Sequence, residues 1–192
     1  MPRAGARKGQ GTFVALLAGI NVGGNRKVPM AELREVAVRL GWGAPRTYIA
    51  SGNLVFEATG AADVLEATLE TALAARFGFA VGVVVRTAEA WLRLKEENPF
   101  EAEAAAEANR VHALVSKLPP KPDAASALLS RAAAGEKLAL TPSGLWAYYP
   151  NGMGTTKLTP TLVDKLVGSK VTARNWRTVL ELASMTQASR EA

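Results

Sequence analysis

Residues 13–30, FVALLAGINVGGNRKVPM, are the stretch around which the chain is organised. Phe13 to Leu17 is a short apolar run closed by Gly19, the pattern of a buried strand. Asn21, Gly23, Gly24 and Asn25 form a turn that can take positive φ and let another group approach the backbone closely. Arg26 and Lys27 put two positive charges on that turn, and Pro29 suits the first turn of a helix opened from Met30. A strand, a glycine turn and a helix start make an anion seat, because free N–H groups and the helix dipole point the same way. The same residues also serve as a tight strand-to-helix connection with surface charges, and a lone glycine motif does not choose between the two.

Working outward, Pro29 to Leu40 has helical spacing, and Gly41 and Gly43 stop it. Arg46–Ala50 and Asn53–Glu57 are strands of a hairpin turning through Ser51-Gly52. Ala61–Phe77 is an amphipathic helix ended by Gly78, and Phe79–Arg86 is a strand apolar enough to be central. Thr87–Leu94 is a short helix with Thr87 at its N-cap. Asn98-Pro99-Phe100 marks a turn, and Glu101–Ala108 is helical. Arg110–Leu118 is a strand, Asp123 caps a helix to about Ala134, and Glu136–Leu140 with Leu145–Tyr149 is a second hairpin. A glycine loop follows at Asn151–Thr156, then a helix at Pro160–Val167, a strand at Lys170–Thr172 and a closing helix from Asn175. The order β-α-β-β-α-β therefore occurs twice, the split βαβ pattern. The predicted fold is α+β, two tandem ferredoxin-like (βαββαβ) halves plus an extra C-terminal helix. Its parts are a disordered basic start (1–11), a first half (12–86), a helical connector (87–109) and a second half with the closing helix (110–192).

The chain has 192 residues, 48% of them apolar, and no Cys. That excludes disulfides, a thiolate nucleophile and cysteine-ligated zinc, and it fits a reducing, cytoplasmic compartment. The apolar stretches are too short to cross a bilayer, so no membrane partner is expected. The first eleven residues have three basic residues but no apolar core, unlike a secretory signal. The net charge of +6 divides as +3 over residues 1–11, +1 over 12–86, −4 over 87–109 and +6 over 110–192. A basic last third can steer anions or nucleic acid, and equally can serve solubility.

The motifs resemble a bacterial domain-of-unknown-function family, number sixteen ninety-seven. The resemblance runs through Leu16–Gly24, Lys27, Val28-Pro29-Met30, Tyr48-Ile49, Ser51-Gly52-Asn53 and Asn98-Pro99-Phe100. It continues through Gly154, Thr156-Lys157-Leu158 and Thr172-Ala173-Arg174-Asn175-Trp176. The family usually has Arg where this chain has Ala18, so an anion contact made there is missing or falls to Arg26 or Lys27. The resemblance implies the tandem fold and cytoplasmic residence, and it implies no activity.

The residues assign no catalytic role. The single histidine, His112, lies mid-strand among apolar neighbours, which suits a structural residue. Without it there is no Ser-His-Asp set, and no histidine pair exists for a metal. Neither glycine loop satisfies G-x-x-x-x-G-K-[ST], so a P-loop NTPase is rejected and no cofactor is called for. Ser51 and Asn53 either bind a ligand or bond their own backbone in the turn. Lys157, Arg174 and Asn175 are polar residues near turns in the basic last third, with Asn175 as a helix cap; Trp176 suits the core. The leading expectation is a small phosphorylated or carboxylated ligand between the two halves, held by Asn21, Gly23, Gly24, Lys27, Ser51, Asn53, Lys157, Arg174 and Asn175. A second expectation is an RNA-binding module with stacking residues among Tyr48, Phe56, Trp146, Tyr148 and Tyr149. A third is a structural or protein-partner role. The sequence sets neither the ligand nor the oligomeric state.

Overall fold

The computed structural model describes residues 10–23 and 26–188. Gly24 and residues 1–9 of the expected disordered start lie outside them. The elements run β1 (Gly11–Ala18), α1 (Met30–Arg39), β2 (Gly43–Tyr48), β3 (Asn53–Ala58), α2 (Ala62–Phe77) and β4 (Gly82–Thr87). They continue with α3 (Ala88–Glu96), α4 (Glu101–Ala106), β5 (Val111–Ser116), α5 (Ala124–Leu129), β6 (Lys137–Thr141) and β7 (Gly144–Tyr148). A 3₁₀ turn at Met153–Thr155, then α6 (Pro160–Val167), β8 (Val171–Asn175) and α7 (Trp176–Ala188) complete the order. The protein is mixed α+β, with two four-stranded antiparallel sheets and seven α-helices among the described residues. The chain divides into two compact units, one reaching Ala88 and including the residues from Met185, the other Glu89–Ser184.

In the first unit the strands lie in the order β2-β3-β1-β4. Central β1 pairs Ala15 with Leu54 on one side and with Val85 on the other. Alternation along each strand sends one set of side chains to the helices. Phe13, Ala15, Leu17, Leu54, Phe56, Val83 and Val85 thus form one core with Leu33 and Val36 of α1 and Leu65, Leu69 and Leu73 of α2. Trp42, just before β2, stacks on Phe56 with ring centroids 4.1 Å apart. Gly78 ends α2 at φ 76°, a left-handed cap, which glycine takes without a Cβ penalty.

The second unit repeats the arrangement with order β6-β7-β5-β8. Leu114, Leu145, Ala147 and Tyr149 meet Ala124 and Leu128 of α5 and Val163 and Val167 of α6. On the opposite face, Ala113, Trp146 and Arg174 lie side by side across β5, β7 and β8. Helices α3 and α7 are tied together by the Trp91 indole, which donates to the Val179 carbonyl at 3.2 Å. The Trp146 ring meets Trp176 edge-on at 5.8 Å.

Several boundaries differ from the sequence-based expectation. Phe79–Val81 is not strand, since β4 starts at Gly82 opposite Ala18, where β1 ends. Strand β1 itself starts earlier, at Gly11, because its partner β3 runs on to Ala58. Helix α5 stops at Leu129 rather than near Ala134, and Asp123 makes no side-chain cap bond. The residues beyond it are held by a carboxylate instead: Glu136 accepts the amides of Ala133 and Ala134 at 3.2 and 2.7 Å.

Candidate functional site

The first loop is a structural clip. Asn21, at φ 55°, donates to the carbonyls of Val28 (3.0 Å) and Ala50 (2.7 Å) and accepts the Val28 amide at 2.8 Å. Arg26 donates to the Ala80 carbonyl and lies over the Phe79 ring. At the neighbouring hairpin, Asn53 is fully buried and donates to the Tyr48 carbonyl and the Ser51 hydroxyl, each at 3.0 Å. Of the two readings of Ser51 and Asn53, the geometry is that of turn chemistry. Gly52 has φ 79°, and a Cβ there would fall 2.7 Å from Leu17 and Ile20 side-chain atoms, so glycine is demanded twice over. Gly23 and Lys27 are exposed, as are Asn21, Val22 and Arg26 of the same loop.

In the second unit Lys157, Arg174 and Asn175 do not form a surface cluster. Lys157 is exposed, in a loop whose next residue, Leu158, packs into the α5–α6 core. Thr156 beside it donates to Glu136 at 2.6 Å. Arg174 is 6% exposed, not at the surface. Its neighbour Ala173 packs toward that same core, so alternation turns Arg174 to the other face of the sheet. Its guanidinium bonds the Thr172 hydroxyl at 2.7 Å and the Ala173 carbonyl at 2.8 Å. Burial pushes its pKa down to about 10. Asn175 caps α7 as expected, accepting the Thr178 amide at 3.0 Å. His112 is buried edge-on against Tyr149, and burial pushes its pKa down against a hydrogen bond with the Arg110 backbone. It suits structure better than proton transfer. Phe56, Trp146 and Tyr149 are buried, so they are not stacking platforms.

A cavity of about 390 Å³ lies wholly within the second unit, lined by Lys95, Glu96, Asn98, Glu101, Ala104, Ala105 and Trp176. Small-molecule sites are typically about 300–1,000 Å³. Glu101, Ala104 and Ala105 present one face of α4 by their i, i+3, i+4 spacing. Asn98 is 6% exposed. Its Oδ1 accepts the Phe100 amide at 3.0 Å, which fixes the other end of the amide as the donor. That Nδ2 is buried and has no acceptor among the described residues. An unmade bond of this kind costs about 1–3 kcal/mol. The sequence marked Asn98 only as a turn and Trp176 only as core. The available signal was that Asn98-Pro99-Phe100 and Arg174-Asn175-Trp176, far apart in the chain, both belonged to the motif set. Among the described residues no group of His, Cys, Asp and Glu is arranged to hold a metal, and no helix is long and apolar enough to cross a membrane.

Two four-stranded antiparallel sheets, each with helices packed on a face, and a cavity walled by two separate motifs define a mixed α+β protein with a candidate ligand pocket. The chain belongs to the family described as "Protein of unknown function (DUF1697)", whose model matches residues 11–146. Among solved structures it is similar to the conserved bacterial protein SP0830 from Streptococcus pneumoniae, at 25% identity and a TM-score of 0.72, over 92% of this chain and 99% of that one. No curated protein matches it.

Proposed function

We propose that the protein binds a small carboxylated ligand in the cavity of its second unit. The observation that carries this reading is the cavity of about 390 Å³ itself, with Lys95 and Trp176 in its lining. Lys95 supplies the charge partner for a carboxylate. Trp176 offers an apolar wall for the rest of the molecule. Each unit is on this reading a ferredoxin-like half, supported by the order β2-β3-β1-β4 and its repeat β6-β7-β5-β8. The cysteine-free composition supports cytoplasmic residence.

The test is a thermal-shift screen of the intact protein against small carboxylates, phosphate, nucleotides and a short RNA. Binding at a hundred times the dissociation constant adds about 2.7 kcal/mol. A carboxylate that raises the melting temperature and moves the Asn98 amide and Trp176 indole NMR signals supports the pocket. Stabilisation by RNA alone, abolished by salt, favours the nucleic-acid function instead. A flat screen sinks both.

A further inference from the structure

The outer strands of the two sheets are β2, β4, β6 and β8, and all but β6 carry a device that keeps other strands off. Along β4, Glu66 and Glu70 accept the outward amides of Val85 and Val83. On β8, Asp164 accepts the Val171 amide at 2.8 Å. Strand β2 holds Pro45 and an irregular register between Gly43 and Arg46. Proline, bulges and covering groups are the usual protection of a sheet edge. Strand β6 has neither proline nor irregularity, and pairs with β7 in unbroken register from Lys137↔Tyr148 to Thr141↔Gly144. Its one charge, on Lys137, is answered by Glu103. Pro142 has no N–H, so Thr141 and Gly144 are the pair that exchanges hydrogen bonds across the turn. Alternation from that pair turns the N–H and C=O groups of Leu138 and Leu140 outward. Those groups have no hydrogen-bond partner among the described residues, and the Leu140 side chain is 38% exposed.

The geometry points to β6 as the pairing edge for a second copy of this chain. Two copies meet antiparallel about a two-fold axis at Ala139, so that two four-stranded sheets become one. Leu138 of each copy lies opposite Leu140 of the other, and every such pair exchanges both of its backbone hydrogen bonds. The edge is thus complementary to itself, as a two-fold interface has to be. The leucines of both copies fall on the helix-covered side, where Leu138 already packs against the α5–α6 core, so exposed Leu140 gains an apolar neighbour across the axis. Ala139 meets Ala139, with no large side chain to hold the backbones apart. Lys137 falls opposite Thr141, which leaves the two Lys137 about 14 Å apart, four residues at about 3.4 Å each. That exceeds the Debye length of about 8 Å. An axis at Leu140 would instead set Leu138 opposite Pro142, which has no N–H to give. One at Leu138 would set Leu140 opposite the buried Glu136 carboxylate. The register at Ala139 is the one that satisfies both leucines.

The test measures the mass of the full chain by light scattering over a concentration series. The mass should rise from that of one chain to that of two, and exchange of the Leu138 and Leu140 amides should slow over the same range. Leu140→Pro removes an outward N–H that the chain's own sheet does not use, and Leu140→Lys puts a charge on the edge. Both variants should keep the mass of one chain and the melting temperature of the diluted native protein. The chain has no Cys, so Ala139→Cys gives a second readout. Its two Cα atoms at the axis would lie about 4.5 Å apart, within disulfide reach. Under the thiol oxidant diamide it should cross-link at least tenfold faster than Val64→Cys, at an exposed site in the first unit. A single-chain mass at every concentration, with no preference for Ala139→Cys, overturns the pairing. A dimer that survives both Leu140 variants overturns it too. A chain that stays single while an unrelated extended peptide protects the two amides overturns the second copy and gives the edge to a foreign strand.

Discussion

Asn21 and Val28 exchange two hydrogen bonds, the Asn21 amide donating to the Val28 carbonyl at 3.0 Å and accepting the Val28 N–H at 2.8 Å. A side-chain amide thereby does what a paired backbone residue does in an antiparallel ladder. It closes the turn without a second strand, and its third bond, to Ala50, ties the turn to the adjacent hairpin.

Replacing Asn21 separates the bonds from the backbone conformation. Asn21→Ala loses all three bonds and keeps a Cβ at φ 55°, for a loss of about 2 kcal/mol in an exposed turn. Asn21→Gly loses the same bonds without the left-handed penalty, so it should be the more stable of the two by about 1 kcal/mol. Urea denaturation of both variants checks the order. Equal stabilities would show that the positive φ costs nothing here.

Glycines 52 and 78 share a positive φ but not their surroundings. Gly78→Ala meets open space and pays only for the backbone, about 1 kcal/mol. Gly52→Ala would also drive a methyl to 2.7 Å from Leu17 and Ile20, bringing the cost to about 3 kcal/mol. Thermal melting of the pair should show Gly52→Ala much the less stable; similar melting points would contradict the packing at Gly52.

Glu136 joins two loops and should make stability acid-sensitive. The Thr156 hydroxyl bond, chiefly, holds its carboxyl below the ordinary range, with help from the backbone amides of Ala133 and Ala134 and against the effect of burial. A depressed folded-state pKa gives stability that is present above the unfolded value of about 4.3 and is lost as pH falls through the folded one. The advantage of the native chain over Glu136→Gln should therefore be full at neutral pH and shrink in acid. Thr156→Val should raise the Glu136 pKa in an NMR titration; an unchanged value would remove Thr156 as the cause.

Helix α2 protects an exposed strand edge. Glu66 and Glu70 accept the outward amides of Val85 and Val83, at 3.0 and 2.9 Å, along β4 at the edge of its sheet. One helical turn of four residues advances about 6 Å and two strand residues about 6.7 Å, so the spacings match. Glu70→Ala should accelerate hydrogen exchange at Val83 and cost about 1 kcal/mol, while Glu70→Gln keeps most of the protection. Unchanged exchange at Val83 in Glu70→Ala would argue that the carboxylate is not what shields this edge.

Local pattern made most elements legible. The period of α1, the glycine that ends α2 and the polar turns of both hairpins are properties of neighbouring residues, and each element falls where those residues indicate. Phe79–Val81 failed because an apolar run has no period to separate a strand from a packed connection. Where β4 begins depends on where β1 ends, a register set by residues more than sixty positions away.

The candidate site was read less well, for the same reason. Asn21, Ser51, Gly52 and Asn53 could be singled out as special, but only their bonds show that the fold itself consumes them. The amino-acid sequence by itself determined the order of strands and helices, the absence of thiol chemistry and the membership of the family, because these rest on composition and short-range pattern. The tertiary structure decided which charges find partners, that Arg174 is buried, and that Asn98 and Trp176 share one cavity wall. Those outcomes depend on distances between residues remote in the chain, and such distances exist only once the helices have packed on their sheets.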